Sequence, residues 1–331
     1  MVDVPTAERV LLDTDLGMGE PGTEIDDGFA LALAVADPDI AIELVTTVNG
    51  NTDVDTATRL TMQLLERLGV SVPVARGATA PLLRAHPRSP DGSEVVLPPG
   101  ADRSGREVSH AARHLVERVM ADPGELTVVA IGPLTNVALA LALEPRLATT
   151  VKEIVIMGGV YLGHTNLAEM PGEFNFWVDP EAAAIVLSSA APLRLVGLDV
   201  TRQVRLSSED ATRLREDVGT FGSFAADCAD GWIDHLRESS PGDHQFHGSF
   251  ALHDPLAVAA VTVPELLTWR DAFVTVETAT ERTRGVAVAD LLTGQSPPEP
   301  NCRIAVGVDV DGFREHLLGH LGSLQQTQPR T

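Results

Sequence analysis

Cysteine is scarce: Cys228 and Cys302 are the two in 331 residues. So few thiols exclude a disulfide framework and a cysteine-rich zinc site. Aromatic residues make up 4% of the chain, and basic residues are outnumbered, with 24 Lys and Arg against 47 Asp and Glu. The resulting formal charge of −23 repels phosphate, which excludes a nucleic acid polymer or an anionic membrane as partner. It suits a soluble protein that handles small neutral or cationic molecules. No apolar run reaches the length of a membrane span, and residues 1–8 lack the apolar core of a signal peptide, so a cytoplasmic location is expected. No internal repeat or Ser/Gly linker interrupts the chain. Residues 1–324 are expected to form one α/β domain and 325–331 a frayed tail.

What is present is an alternation. Short apolar runs at 42–48, 72–75, 127–131, 153–157 and 193–198 read as strands. Between them 53–68, 108–120, 134–143 and 180–188 read as helices. This rhythm predicts an open, mostly parallel sheet covered by helices on both faces. Further strands are expected at 285–291 and 303–310, with a closing helix at 312–324. Residues 76–105, 158–175 and 239–252 break the rhythm and read as long loops, a length that in a compact domain usually serves function.

The first strand carries the densest chemistry. Val10-Leu11-Leu12 runs into Asp13-Thr14-Asp15, and a helix over 26–36 opens on Asp26-Asp27 and stops at Asp37-Pro38. Ligands of open parallel sheets bind beyond the carboxyl ends of the strands, where these four acids fall. Helix capping accounts for one acid well and a second tolerably. It leaves Asp13 and Asp15 unexplained. Crowded carboxylates raise one another's pKa unless a cation neutralises them, and a hard cation such as Ca²⁺ takes six to eight oxygens.

Other polar groups also follow apolar strands: Asn49 and Asn51, the turn Ile131-Gly132-Pro133, the trio Asn166, Glu173 and Asn175, and His253-Asp254. Singly, each has a plain reading as a turn or a cap. Jointly, they converge on one rim of the sheet. Asp13-Thr14-Asp15, Asp26-Asp27, Val48-Asn49-Gly50-Asn51, Gly132-Pro133-Leu134-Thr135-Asn136, Met157-Gly158-Gly159, Glu173-Phe174-Asn175, Asp179-Pro180-Glu181-Ala182-Ala183 and His253-Asp254-Pro255 resemble, in order, the inosine-uridine-preferring nucleoside hydrolases.

That resemblance implies a Ca²⁺-dependent enzyme that splits a ribonucleoside into ribose and free base, assembled as a homodimer or homotetramer. It implies that Asp15, Asp27 and Asp254 bind calcium through carboxylates and Ile131 through its carbonyl. Asp26 and Asn51 would hold the ribose 2′- and 3′-hydroxyls beside the ion. Asn166, Glu173 and Asn175 would hold the 5′ end, with Met157 against the sugar, while Asp13 supports the loop from behind. A water bound by calcium loses a proton more easily, with Asp15 as its base, and His253 is the candidate acid for the departing base.

The sequence departs from the family's pattern in two places. Residues 18–24 extend the first loop between Gly17 and Ile25, so they either reshape the pocket rim, meet a neighbouring subunit or add a harmless loop. The His-Gly pair that often approaches the base is missing from 98–105, which leaves His86, Trp232, His235, His244 and His247 as candidates for base contact. Two rival readings exist. A haloacid-dehalogenase-like phosphatase also has Asp-x-Asp after its first strand, but has no use for Asp26-Asp27 or His253-Asp254. A nucleoside- or ribose-binding protein without turnover would keep the pocket, and calcium-dependent ribose release separates it from the enzyme.

Overall fold

A computed structural model describes residues 7–83, 110–240, 248–292 and 297–324. The chain opens with β1 (Glu8–Thr14), α1 (Asp26–Ala36), β2 (Ile40–Thr47), α2 (Val54–Arg67) and β3 (Val74–Arg76). It continues through α3 (Ala111–Ala121), β4 (Leu126–Ala130), α4 (Thr135–Leu143), a single turn α5 (Leu147–Thr150) and β5 (Glu153–Met157). Next come α6 (Phe174–Val178), α7 (Pro180–Leu187), β6 (Leu193–Val196), α8 (Leu198–Thr201), β7 (Arg205–Ser207), α9 (Ser208–Asp217) and α10 (Gly219–Ser239). The last third holds β8 (Ser249–Ala251), α11 (His253–Thr262), β9 (Leu267–Val276), β10 (Ala287–Asp290), β11 (Cys302–Val308) and α12 (Val310–Ser323).

Nine strands form one sheet in the order β10-β9-β11-β6-β5-β4-β1-β2-β3. The stretch from β3 across to β11 is parallel throughout, and β9 runs antiparallel between β11 and β10. β7 and β8 make a separate antiparallel pair. From β1 the chain winds outward to β2 and β3, then returns to add β4 on the other side of β1. Strand order therefore reverses between β1 and β4, and a crevice opens at the carboxyl ends of that pair.

Burial on both faces follows the strand period. Val10 and Leu12 of β1, Val129 of β4, Val155 of β5 and Val196 of β6 pack on one side, against α1, α10, α11 and α12. Leu11, Val128, Ile154, Ile156 and Leu195 pack on the other, against α3, α4 and α7. Two apolar cores thus flank the sheet, as the near-continuous apolar strands required. α1 is apolar nearly all round because it is buried nearly all round, with Phe29 packing edge-on to Phe221 at 6.4 Å between ring centroids. α2 is amphipathic instead: Asp53 caps it by accepting from the backbone N–H groups of Asp55 and Thr56, and Leu60 and Leu64 face inward.

Several expectations change in the structure. The 158–175 loop ends at Glu173, because that side chain caps α6 and brings Asn175 onto a helix. The last helix starts at Val310, earlier than 312, since Asp309 caps it by accepting from Gly312 N–H. Asp26 and Asp27 do not cap α1: Ile25 holds the cap position and they occupy the first turn. Residues 84–109, with most of the 76–105 loop, lie outside the described residues, as do 325–331. No helix among the described residues is long and apolar enough to cross a membrane.

A charged clamp fastens α12 to α9. Both carboxylate oxygens of Asp210, which is 1% exposed, accept from the Arg314 guanidinium. Burial alone would raise the Asp210 pKa, but Arg314 and the Ser207 hydrogen bonds outweigh it and hold the carboxyl below its usual range. Arg314→Ala should cost about 1–2 kcal/mol at pH 7, less than a fully buried pair because Arg314 is 40% exposed. A depressed folded pKa stabilises above the ordinary carboxylate pKa, and that contribution fades as pH falls through the depressed value. Urea unfolding at descending pH should therefore show the gap between wild type and variant closing in acid.

Candidate active site

Strand β1 delivers its acids to the crevice in two roles. Asp13, on the strand itself, is fully buried and faces sideways: one oxygen accepts from Asn136 Nδ2 at 2.7 Å and from the Thr46 hydroxyl. Asn136 also donates to the Thr47 carbonyl and accepts from Ala78 N–H, so it ties the ends of β1 and β2 to the segment after β3. Burial pushes the Asp13 carboxyl up to about 7. Asp15, two residues on, emerges at the crevice. Its Oδ2 accepts from Asn51 N–H at 2.7 Å, and its buried Oδ1 has no hydrogen-bond partner among the described residues.

Asn51 bridges two acids, because its side-chain Nδ2 donates to Asp27 Oδ2 at 2.9 Å. The other Asp27 oxygen accepts from the Thr14 hydroxyl. Asp26 accepts from the backbone N–H of Asp254 at 3.0 Å, which joins the start of α1 to the start of α11. The carboxylates of Asp26, Asp27 and Asp254 lie within 4.8 Å of one another. Burial, then mutual repulsion, pushes Asp26 up to about 7. Burial pushes Asp27 to about 6, against the hydrogen bonds from Thr14 and Asn51. Asp15 and Asp254 are raised for the same reasons, with Asp27 acting on the first and Asp26 on the second. No Lys or Arg among the described residues pairs with these four acids. A divalent cation is the neutralising partner that such oxygens fit, and the unpartnered Asp15 Oδ1 is a donor ready for one.

Above the acids lies a cleft of about 460 Å³. Asp15, Asp26, Asn51, Ile131 and Asp254 line it on the acid side. Met157, Asn166, Glu173, Asn175 and His253 line it elsewhere, so the ion and sugar contacts named from the sequence reach the cleft except Asp27, which does not line it. Glu173 is engaged by backbone: it accepts from Asn175 N–H at 2.8 Å, Gly159 N–H at 2.9 Å and Phe176 N–H at 3.2 Å. Asn175 Nδ2 donates to the Ile131 and Met157 carbonyls at 3.0 and 3.2 Å. Asn166 is exposed, with a left-handed backbone at φ 64°, on a segment that Arg202 holds through the His164 and Thr165 carbonyls.

His253 opens α11 with Nδ1 2.7 Å from the Thr201 hydroxyl and Nε2 3.7 Å from Glu24. Burial first, then Arg202 and Arg205, push its pKa down to about 3, so the imidazole is neutral around pH 7. A neutral ring differs from the candidate acid that the sequence offered, since an acid needs a proton to give near neutral pH.

Residues 18–24 have split duties. Met18 is core, packed so closely that a Cβ on Gly28 would overlap its sulfur, while Glu24 reaches the cleft. Trp232 and His235 stack on each other at 5.2 Å along α10, and neither lines the cleft, whereas Leu236 and Ser240 of the same helix do. His86, His244 and His247 lie outside the described residues. Sequence reasoning passed over Thr14, Arg202 and Thr201. Thr14 had a signal, its place between two acids, while Arg202 and Thr201 reach the site through α8, which no local pattern marks.

An acid cluster able to hold a metal, beneath a small-molecule cleft at the switch point of an open parallel sheet, defines a cation-dependent α/β enzyme. More particularly, the chain belongs to the inosine-uridine preferring nucleoside hydrolase family, whose model matches residues 10–315. It is a nucleoside hydrolase, an enzyme that cleaves the N-glycosidic bond of a ribonucleoside. The probable uridine nucleosidase 1 of Oryza sativa subsp. japonica is 38% identical over 279 residues, covering 82% of each chain. The non-specific ribonucleoside hydrolase RihC of Salmonella enteritidis PT4 is 36% identical over 313 residues, covering 93% of this chain and 95% of its own. Among solved structures, the purine-preferring ribonucleoside hydrolase from Gardnerella vaginalis superposes with a TM-score of 0.83 at 28% identity, over 97% of this chain and 100% of that one.

Asp15 is walled in by backbone, since a Cβ on Gly50 would overlap its Oδ2. Gly50→Ala should displace that carboxylate and weaken divalent-cation binding by about tenfold or more, read by calorimetric titration. Unchanged affinity would remove Asp15 from the cation site.

Proposed function

We propose that the cation is Ca²⁺ and that Asp15, Asp27 and Asp254, with the Ile131 carbonyl, hold it while the enzyme hydrolyses its nucleoside. The observation that carries this reading is the buried, unpartnered Asp15 Oδ1 among acids whose pKa values burial and repulsion have raised. An all-oxygen donor set favours a hard cation over zinc or copper. Ca²⁺ in that position would supply positive charge that eases the deprotonation of water and orients the sugar diol.

The chain's own residues then account for the chemistry. Asp15 accepts a proton from the attacking water, the new C–O bond forms at C1′, and the C1′–N bond breaks toward the base. Positive charge develops on the sugar in an oxocarbenium-like transition state, and the carboxylates beneath the cleft favour it because they are already in place. Asp26 and Asn51 bind the 2′- and 3′-hydroxyls. Met157 lies under the sugar, and Asn166, Glu173 and Asn175 form the 5′ end. Since backbone N–H groups already engage Glu173, its part includes holding the Met157–Gly159 segment through Gly159.

His253 assists the departing base by a hydrogen bond: the neutral ring keeps its N–H proton and shares it with the leaving nitrogen, while the proton the base finally takes up comes from solvent. Its neutral state makes it a hydrogen-bond donor through Nε2, with Nδ1 set by Thr201. Leu167, Met170, Phe174 and Leu236 line the same cleft and offer apolar surface to a planar base. The relatives named above are a probable uridine nucleosidase, a non-specific hydrolase and a purine-preferring hydrolase, so the choice of base rests on this wall rather than on the acids. Glu24 brings residues 18–24 into the rim, beside His253.

Reducing-sugar release from a panel of ribonucleosides should vanish on chelation and return with Ca²⁺. Asp15→Asn should lower kcat by roughly 10²–10⁴. His253→Ala should lower turnover of natural nucleosides by a similar factor, and that of a nitrophenyl riboside, whose leaving group needs no proton, by much less. Equal losses on both substrates would take His253 out of the leaving-group role.

A further inference from the structure

The far end of α1 carries a second cluster that the nucleoside chemistry does not use. Asp37 follows the last residue of α1 and is 2% exposed. A helix C-terminus already concentrates negative charge, so a buried carboxylate there is unfavourable without a positive partner. Asp37 accepts from the Thr262 hydroxyl at 2.8 Å and from Asp39 N–H at 2.9 Å, both neutral groups. No lysine or arginine among the described residues pairs with it. What faces it is α12. His316 and His320 lie four residues apart, on one side of that helix. Their rings meet edge to face at 4.5 Å, and His316 Nε2 stands 3.7 Å from Asp37 Oδ2.

His316 Nε2 is the second observation. It is buried and has no hydrogen-bond partner among the described residues, since 3.7 Å is too long for one. An orphaned imidazole nitrogen aimed at a buried carboxylate calls for a bridging partner. One donor atom from each of Asp37, His316 and His320 can be chosen so that all lie within 4.8 Å of one another. The edge of a zinc tetrahedron is roughly 3.4 Å, a difference that rotation of the half-exposed His320 ring can close.

We propose that Asp37, His316 and His320 form a transition-metal site of the Zn²⁺ class that clasps α12 to the end of α1. Two imidazoles and one carboxylate suit a borderline cation, whereas the all-oxygen cleft suits a hard one. The two sites sit at opposite ends of α1, about 16 Å apart along its axis. The clasp is therefore structural, and it leaves the cleft's own cation in place.

Co²⁺ serves as the probe, titrated into the full chain with excess Ca²⁺ present. Histidine-bound tetrahedral Co²⁺ absorbs strongly in the visible, while Co²⁺ among oxygens alone absorbs weakly. The wild type should bind one Co²⁺ with the strong spectrum and should be stabilised by a few degrees in Tm on adding Zn²⁺. His320→Gln, which changes a half-exposed ring and threatens folding least, should weaken that binding at least tenfold and abolish the Tm shift. His316→Gln should do the same. A wild type without the strong spectrum, or a spectrum unchanged in both variants, would overturn the site. Because the signal reports histidine ligation, it stands or falls apart from what fills the cleft.

Discussion

Repulsion among buried carboxylates is the constraint around which this molecule is built. Asp15, Asp26, Asp27 and Asp254 are all buried, and burial raises the pKa of each, with neighbouring carboxylates raising Asp15, Asp26 and Asp254 further. Such a cluster is costly in isolation. The fold tolerates it by surrounding it with donors that carry no charge: Asn51 through both backbone and side chain, the Thr14 hydroxyl, and the Asp254 N–H. These donors hold the carboxylates without neutralising them, so the demand for a cation persists in the folded protein.

The wider scaffold serves the same end. The strand order places β1 beside β4 at the reversal, and so sets Asp15 near Ile131. Asn136 locks the ends of β1 and β2, and Asp179 performs a similar task beside it, on the same face of the sheet. Asp179 caps α7 through Ala182 N–H while accepting from the Thr135 hydroxyl and Leu82 N–H. Neither Asn136 nor Asp179 lines the cleft. Their rigidity makes the spacing of those that do reproducible, which is what electrostatic preorganisation requires.

Much of this was legible in the sequence because its causes are local. The bounds of α1 follow from acids at its start and Asp37-Pro38 at its end, and β5 follows from one apolar run. The site residues could be nominated because each follows a strand, and strand ends share an edge. The parts that were not legible arise from contacts distant in sequence. Residues 208–239 form two helices that the strand–helix rhythm did not mark. α6 is only five residues long, and its cap, Glu173, also reads as a ligand. The neutral state of His253 depends on burial, Arg202 and Arg205, and no window around residue 253 shows where those arginines fold. The antiparallel placement of β9 between β11 and β10 likewise depends on pairings formed across long connections.

The hydrogen bond from Asp254 N–H to Asp26 spans 228 positions of the chain. Three of the four acids are encoded near the beginning and the closing member far along, so a partly synthesised chain carries Asp15, Asp26 and Asp27 without Asp254. Domains generally fold as units, and contacts of this separation form late because loop closure must come first. The full set of carboxylates for a cation is then present only once α11 has docked against α1. The order of the residues along the gene thus makes assembly of the sheet a precondition for activity.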